Sequence, residues 1–349
     1  MSGPARITLR HRRWSLRLSR RALALNLVLL AMLTAAGIAA LLQGRIPVNP
    51  ADLWQLLTGA APGRAVAHAV FDIRLPRLLV TLGAGAALGA SGAVFQSIAR
   101  NPLGSPDVIG FTAGAASGAL LQIIAFGGAG ADVVPAAMAG ALLTGAGVYL
   151  LARKNGRVGA YRLVLTGIGV GAMLSALNAL LLVKGDLDAA ISANLWLAGS
   201  VEGRDWGHVW PLWAGLALLL PAMLFGMRPL ALMAMGDDLA GPLGVAVERV
   251  RGAMLLAALL LVALATSAAG PIAFVALAAP QLAQRLGRTV DQPLFGAALM
   301  GALLLTGADL LTRVLPVGAM LPVGQVTGVL GGLYLIWLLT RQGLAGQRG

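Results

Sequence analysis

The stretch RLPRLLVTLGAGAALGASGAVFQSIARNPLGSPDVIG, residues 74–110, decides the fold. Its middle, 78–98, is a run of apolar and small residues, with Gln96 the one exception, between Arg74 and Arg77 on one side and Arg100 on the other. About 20 such residues cross the hydrocarbon core of a bilayer as a helix. The glycines and alanines of GAGAALGASGA (83–93) let neighbouring helices approach closely.

Working outward, nine further windows read as spans: 22–42, 109–128, 132–152, 162–183, 208–227, 253–269, 271–287, 294–312 and 323–340. The pair 253–287 is nearly continuous, and Pro271, Pro280 and Pro322 fall inside or beside spans. Such breaks are tolerated where protein or a water-filled cavity surrounds the backbone. The chain of 349 residues is 58% hydrophobic and 11% charged, against roughly 25% charged in soluble domains. The fold class predicted is an all-α integral membrane protein of about ten transmembrane helices. With no cysteine, disulfides and thiolate metal sites are excluded.

The net charge of +13 points to topology rather than nucleic acid. Arg6, Arg10, Arg12, Arg13, Arg17, Arg20 and Arg21 precede the first span with no acid among them. Basic residues concentrate on the cytoplasmic side of membrane proteins. With both termini in the cytoplasm, 19 of the 26 basic residues fall inside. The segments are then a basic cytoplasmic stretch (1–21), a membrane domain (22–341) and a cytoplasmic tail (342–349).

Several chemistries are missing. Lys154 and Lys184 are followed by Asn155 and Gly185, so there is no phosphate-binding Gly-Lys-Ser/Thr loop. His11, His68 and His208 are scattered, so neither a metal site nor a catalytic histidine is expected. Asp309 alone resembles an ionisable group within the bilayer. Its spacing from Arg313 equally suits an i,i+4 ion pair.

LALMAMGDDLAGPLGVAVERVR (230–251) is too polar to span and lies in a cytoplasmic loop. Gly236 can start a turn, Asp237 or Asp238 can cap a helix N-terminus, and Gly241-Pro242 can separate two short helices. Leu239, Leu243 and Val247 then form an apolar face, for a partner or for the membrane surface. There is also an internal echo between 95–121 and 279–304, each running from a span through Gln, Arg and a Pro-containing loop into another span.

Residues 74–110, LTGIGVGAMLSALNALLL (165–182) with WLAGSVEG (196–203), GPIAFVALAAPQLAQRLG (270–287) and LPVGQVTGVLGGLYLIWLLTR (321–341) occur in the order seen in the FecCD-type permeases. The chain resembles that family of iron–siderophore, haem and cobalamin ABC importers over nearly its whole length after residue 21. The resemblance implies a multi-pass, non-catalytic inner-membrane subunit without cofactor. Its partners would be two copies of a separate ATP-binding subunit, a periplasmic or lipid-anchored siderophore-binding protein, and a second permease, identical or not.

It also implies site residues. Gly236, Asp237, Asp238, Leu239, Ala240, Leu243 and Gly244 match the loop that couples to the ATPase. Arg74, Arg77 and Arg313 match arginines that pair with glutamates of the binding protein. Gln96, Gly167, Gly171, Ser175, Asn178 and Ser200 are candidates for lining or gating the path. Many members carry Pro-His where this chain has Pro280-Gln281, and Gly-Gly-Pro where it has Gly331-Gly332-Leu333. These departures lean toward permeases for ferric catecholates such as enterobactin. Haem or cobalamin cargo is the alternative within the family. An ion-gradient carrier is the rival outside it, and a structural scaffold a more remote one.

Overall fold

The structure is a computed structural model. It describes all residues except 1–5, 12–13, 60–62, 108–109, 129, 155, 289–292, 316–320 and 347–349. The basic N-terminal stretch contains an antiparallel hairpin, β1 (Arg6–His11) and β2 (Trp14–Ser19), with Arg6 opposite Ser19. The Ser19 hydroxyl then accepts from the Ala22 N–H at 3.1 Å and caps α1 (Arg20–Leu42). A short α2 (Pro50–Thr58) and α3 (Arg64–His68) follow. A π-helical turn (Ala69–Arg74) carries α3 into α4 (Leu75–Ala99).

Next come α5 (Phe111–Phe126), α6 (Val133–Ala152), a minimal hairpin of β3 (Arg153–Lys154) and β4 (Arg157–Val158), α7 (Ala160–Lys184) and α8 (Leu187–Leu197). The chain continues through α9 (Trp206–Met233), α10 (Asp237–Ala240), α11 (Val247–Ala269), α12 (Val275–Gly287), α13 (Leu294–Val314) and α14 (Val323–Gly346). The ten expected spans all coincide with helices. Among the described residues, seven helices are long and apolar enough to cross a membrane by length and composition.

The helices α5 and α12 are shorter, and the reason is local. Between α11 and α12, Gly270 (φ 74°) and Phe274 (φ 68°) adopt left-handed conformations around Pro271, which ends one helix before the next begins. The 13 residues of α12 cover only about 20 Å, less than the ~30 Å core of a bilayer. Alone it is therefore too short to span.

The most buried helix is α4, enclosed by α9, α11, α12 and α13. Its glycines make this possible. A Cβ on Gly85 would stand 2.4 Å from the Gly301 carbonyl oxygen, and one on Gly89 2.1 Å from that of Ala297. A Cβ on Gly92 would stand 1.8 Å from the carbonyl oxygen of Ala276. Backbone cannot yield as a side chain does, so Gly89→Ala is expected to cost about 1–3 kcal/mol, read as a lowered melting temperature in detergent.

The internal echo has a geometric counterpart. Gln96 on α4 donates to the Leu277 carbonyl at 2.9 Å, and Gln281 on α12 donates to the Pro102 carbonyl at 2.7 Å. Gln281 thus reaches into the first segment, and Gln96 reaches α12 just before the second begins. Both helices are followed by an arginine in the left-handed region, Arg100 (φ 49°) and Arg288 (φ 47°).

Candidate functional site

Three groups of residues stand apart from ordinary packing, one at each end of the helix bundle and one between. Those at the ends are separated by the length of α4, about 35 Å from Arg77 to Arg100.

The first group surrounds α10. Gly236 (φ 123°) is its N-cap and Gly244 (φ 86°) follows it, both left-handed conformations that a side chain would strain. Ala240 is completely buried, whereas Met235, Leu239 and Leu243 are 65%, 57% and 61% exposed. Three expectations are corrected here. One short helix forms between α9 and α11, not two, because Gly241–Gly244 is a turn. Val247 starts α11 and packs against the core, leaving the exposed face to Leu239 and Leu243. Neither Asp237 nor Asp238 caps the helix through its side chain.

Asp238 is exposed. Asp237 turns the other way: its Oδ1 pairs with Arg100 at 2.5 Å and its Oδ2 with Arg251 at 2.6 Å. Burial works to raise its pKa, but the hydrogen bond and charge of Arg251, with those of Arg100, outweigh this and hold it below its ordinary 3.8. A carboxylate shifted down contributes fully above its ordinary value and loses that contribution as pH falls through the lowered one. The difference in thermal stability between wild type and Asp237→Asn is therefore expected to stay constant between about pH 5 and 8, as measured by melting in buffers across that interval.

The second group lies at the opposite end. Asp309 on α13 is 1% exposed, with Arg77 bound to Oδ1 at 2.7 Å and Arg313 to Oδ2 at 2.5 Å. The i,i+4 pair read from sequence is present, and Arg77 joins it from α4. Arg313 also donates to the Ala40 carbonyl at 2.8 Å. Arg74 is buried and spends its guanidinium on the end of α1, donating to the carbonyls of Leu41 (2.6 Å), Leu42 (2.9 Å) and Ile46. Gly44 makes the room: a Cβ there would stand 2.7 Å from Arg74 Nη2. Of the three arginines, Arg77 keeps the most exposure, 21% of its side chain.

Between them, four interruptions of helix converge. Asp107, from the loop between α4 and α5, accepts from the Thr112 hydroxyl at 2.6 Å. Both line a cavity of ≈ 380 Å³ with Asn194 of α8, Pro271 and Gln325 of α14. Gly110 beside them packs on Gly167 and Gly171 of α7, and Phe111 on Phe95 at 5.4 Å. Asp107, Gly110 and Phe111 are therefore packed among α4, α7, α8 and α14. Asp107 is thus a second acid enclosed by the helix bundle, besides Asp309. Asp107, Asn194 and Gln325 were not singled out from the sequence. Pro102 and Pro106, which forbid helix through this loop, were the available signal.

The path candidates do not gather in one place. Gln96 is buried beneath a second cavity of ≈ 810 Å³ that Arg100 and Gln284 also line. Its Oε1 finds no hydrogen-bond partner among the described residues. Asn178 binds the Ser117 hydroxyl at 2.7 Å and the Ala113 carbonyl at 3.2 Å, joining α7 to α5. Ser175 lies on the exposed face of α7, and Ser200 accepts from the Glu202 N–H at 3.1 Å.

Known proteins share both sequence and shape. The chain is 46% identical to the ferric enterobactin transport system permease protein FepG of Escherichia coli (strain K12), over 93% of this chain and 98% of that protein. It is 37% identical to the iron(3+)-hydroxamate import system permease protein FhuG of Bacillus subtilis (strain 168), over 85% of this chain and 91% of that protein. A solved structure described as an inward-facing metal-chelate type ABC transporter superposes with a TM-score of 0.81 at 27% identity, covering 91% of this chain and 99% of that one. The glycine-packed helices, the interrupted spans and the exposed α10 thus occur in a chain whose residues 31–341 match the FecCD transport family, and to that family this protein belongs.

Proposed function

We propose that this chain is the permease subunit of an ATP-driven ABC importer that passes a ferric siderophore of the catecholate class inward across the inner membrane. It performs no covalent chemistry itself. Two copies of a separate ATPase supply the energy, a binding protein delivers the cargo, and a second permease completes the path. The observation that carries the reading is α10, with Leu239 and Leu243 turned outward at 57% and 61% exposure beside a fully buried Ala240. Two apolar side chains on a charged, glycine-hinged tip suit docking into a cleft of another protein. The catecholate assignment draws support from the likeness to the ferric enterobactin permease protein.

In this reading the α10 end and both termini face the cytoplasm, and the Arg77–Asp309–Arg313 end faces outward. The three arginines then divide their work. Arg77 meets a carboxylate of the binding protein, while Arg74 and Arg313 hold the platform through α1 and Asp309. Charge complementarity at such a rim governs register and association rate. Cargo passes between two permeases, alongside the Asp107 cavity and the faces carrying Gly167, Gly171, Ser175, Asn178, Ser200 and Gln96.

The test is radio-iron uptake in a strain lacking only this gene and any redundant importer. Ferric enterobactin, a ferric hydroxamate, ferric citrate and haem are offered separately, with labelled cobalamin alongside. Loss confined to the catecholate, restored by the intact gene, is expected. Loss of haem or cobalamin uptake alone would keep the machinery and change the cargo. In the same assay Arg77→Gln, which leaves Arg313 to neutralise Asp309, should lower uptake at limiting binding protein by about tenfold, the scale on which rim charges alter association, and less when binding protein is in excess.

A further inference from the structure

We propose that Asp237 is the transmission residue of the coupling element: it faces the transmembrane bundle rather than the ATPase and clamps α10 to α4 and α11 together. The proposal rests on the docking reading above. A helix of four residues has little stability of its own. With left-handed glycines at positions 236 and 244, a push on Leu239 and Leu243 would be absorbed by the flanks unless α10 were tied to something rigid.

Asp237 supplies the tie. Its Oδ1 meets Arg100 at 2.5 Å, and the same guanidinium donates to the Met233 carbonyl at 2.6 Å. Arg100 ends α4 in a left-handed conformation (φ 49°), which closes the helix and turns the chain toward α10. The other oxygen, Oδ2, meets Arg251, whose side chain is only 4% exposed, at 2.6 Å. Arg251 continues to Glu248 at 2.6 Å, and Glu248 accepts from the Val158 N–H at 3.2 Å. One carboxylate therefore connects the coupling helix to the most enclosed helix of the bundle, to α11 and, through Glu248, to the hairpin before α7. Glu248 still neutralises Arg251 when Asp237 is replaced, so Asp237→Asn is expected to fold.

The experiment uses the full transporter in proteoliposomes, with import of ferric enterobactin and ATP hydrolysis measured in the same vesicles. For Asp237→Asn the ATPase is expected to assemble and hydrolyse as in wild type. Cargo imported per ATP should fall about tenfold, as for loss of one strongly coupled pair. Asp237→Glu should restore most of it. Arg100→Gln should give the same loss, and the double variant no more than the worse single one. An unchanged import per ATP in Asp237→Asn would overturn the proposal. So would failure of that variant to bind the ATPase, because Asp237 would then belong to the docking face. Should Asp237→Asn not reach the membrane, Arg100→Gln is read in the same way. Normal ATPase binding after Leu239→Glu with Leu243→Glu would instead sink the docking reading itself.

Discussion

Replacing Asp309 by alanine is expected to destabilise the protein by about 3–5 kcal/mol, because breaking a buried ion pair strands its partners. Asp309 is 1% exposed and holds two arginines at once, whose side chains are 21% and 12% exposed. Arg77 has some access to solvent, whereas Arg313 is more deeply enclosed and already committed to the Ala40 carbonyl. The loss should register as a lower melting temperature in detergent and poorer yield from membranes. Neutralising all three groups together should recover much of it, since the cost lies in uncompensated charge rather than in the missing bonds. Full stability for Asp309→Ala would mean that Arg77 and Arg313 find other counter-ions, and the clasp between α4 and α13 would lose its role.

The largest functional effect is expected at α10. Glutamate at both Leu239 and Leu243 should weaken ATPase association by at least about 2 kcal/mol, roughly 30-fold, the scale of a central interface contact. Both side chains are exposed in the chain alone, so the double substitution leaves its packing intact. Co-purification with the ATPase should fail while the permease still reaches the membrane with unchanged melting. Glutamate at Ala240 would not test the same thing, because that side chain is buried. Import should fall to the level of vesicles lacking the ATPase.

Much of this architecture was legible in the sequence because spans declare themselves by length and apolarity. The window 253–269 proved to be the C-terminal part of Val247–Ala269, and 271–287 became the short Val275–Gly287. Gly270-Pro271 marked the division, but not that α12 would be too short to span. The pairings were harder to see. Asp309–Arg313 is an i,i+4 relation and readable, whereas Arg77 joins it from 232 residues away. Arg100 and Asp237 are 137 residues apart, so nothing in the loop itself told that Asp237 turns inward while Leu239 turns out. Arg74 looked like a rim charge and instead satisfies the carbonyls that end α1. Such groups go unpaired in any helix, but their partner is chosen by tertiary structure. The N-terminal hairpin was likewise unforeseen, its alternation hidden among arginines read as a topology signal.

In the proposed function a docked ATPase, not an ion gradient, drives cargo through this chain. The two are separated in proteoliposomes of the assembled transporter, with ferric enterobactin and the binding protein supplied outside. Uptake is then compared with ATP at the nucleotide-binding side and with an imposed proton or sodium gradient in its place. Uptake should require ATP, ignore both gradients, and vanish with the Leu239→Glu/Leu243→Glu permease. Gradient-driven uptake that proceeds without ATP and survives that double substitution would contradict the proposed function.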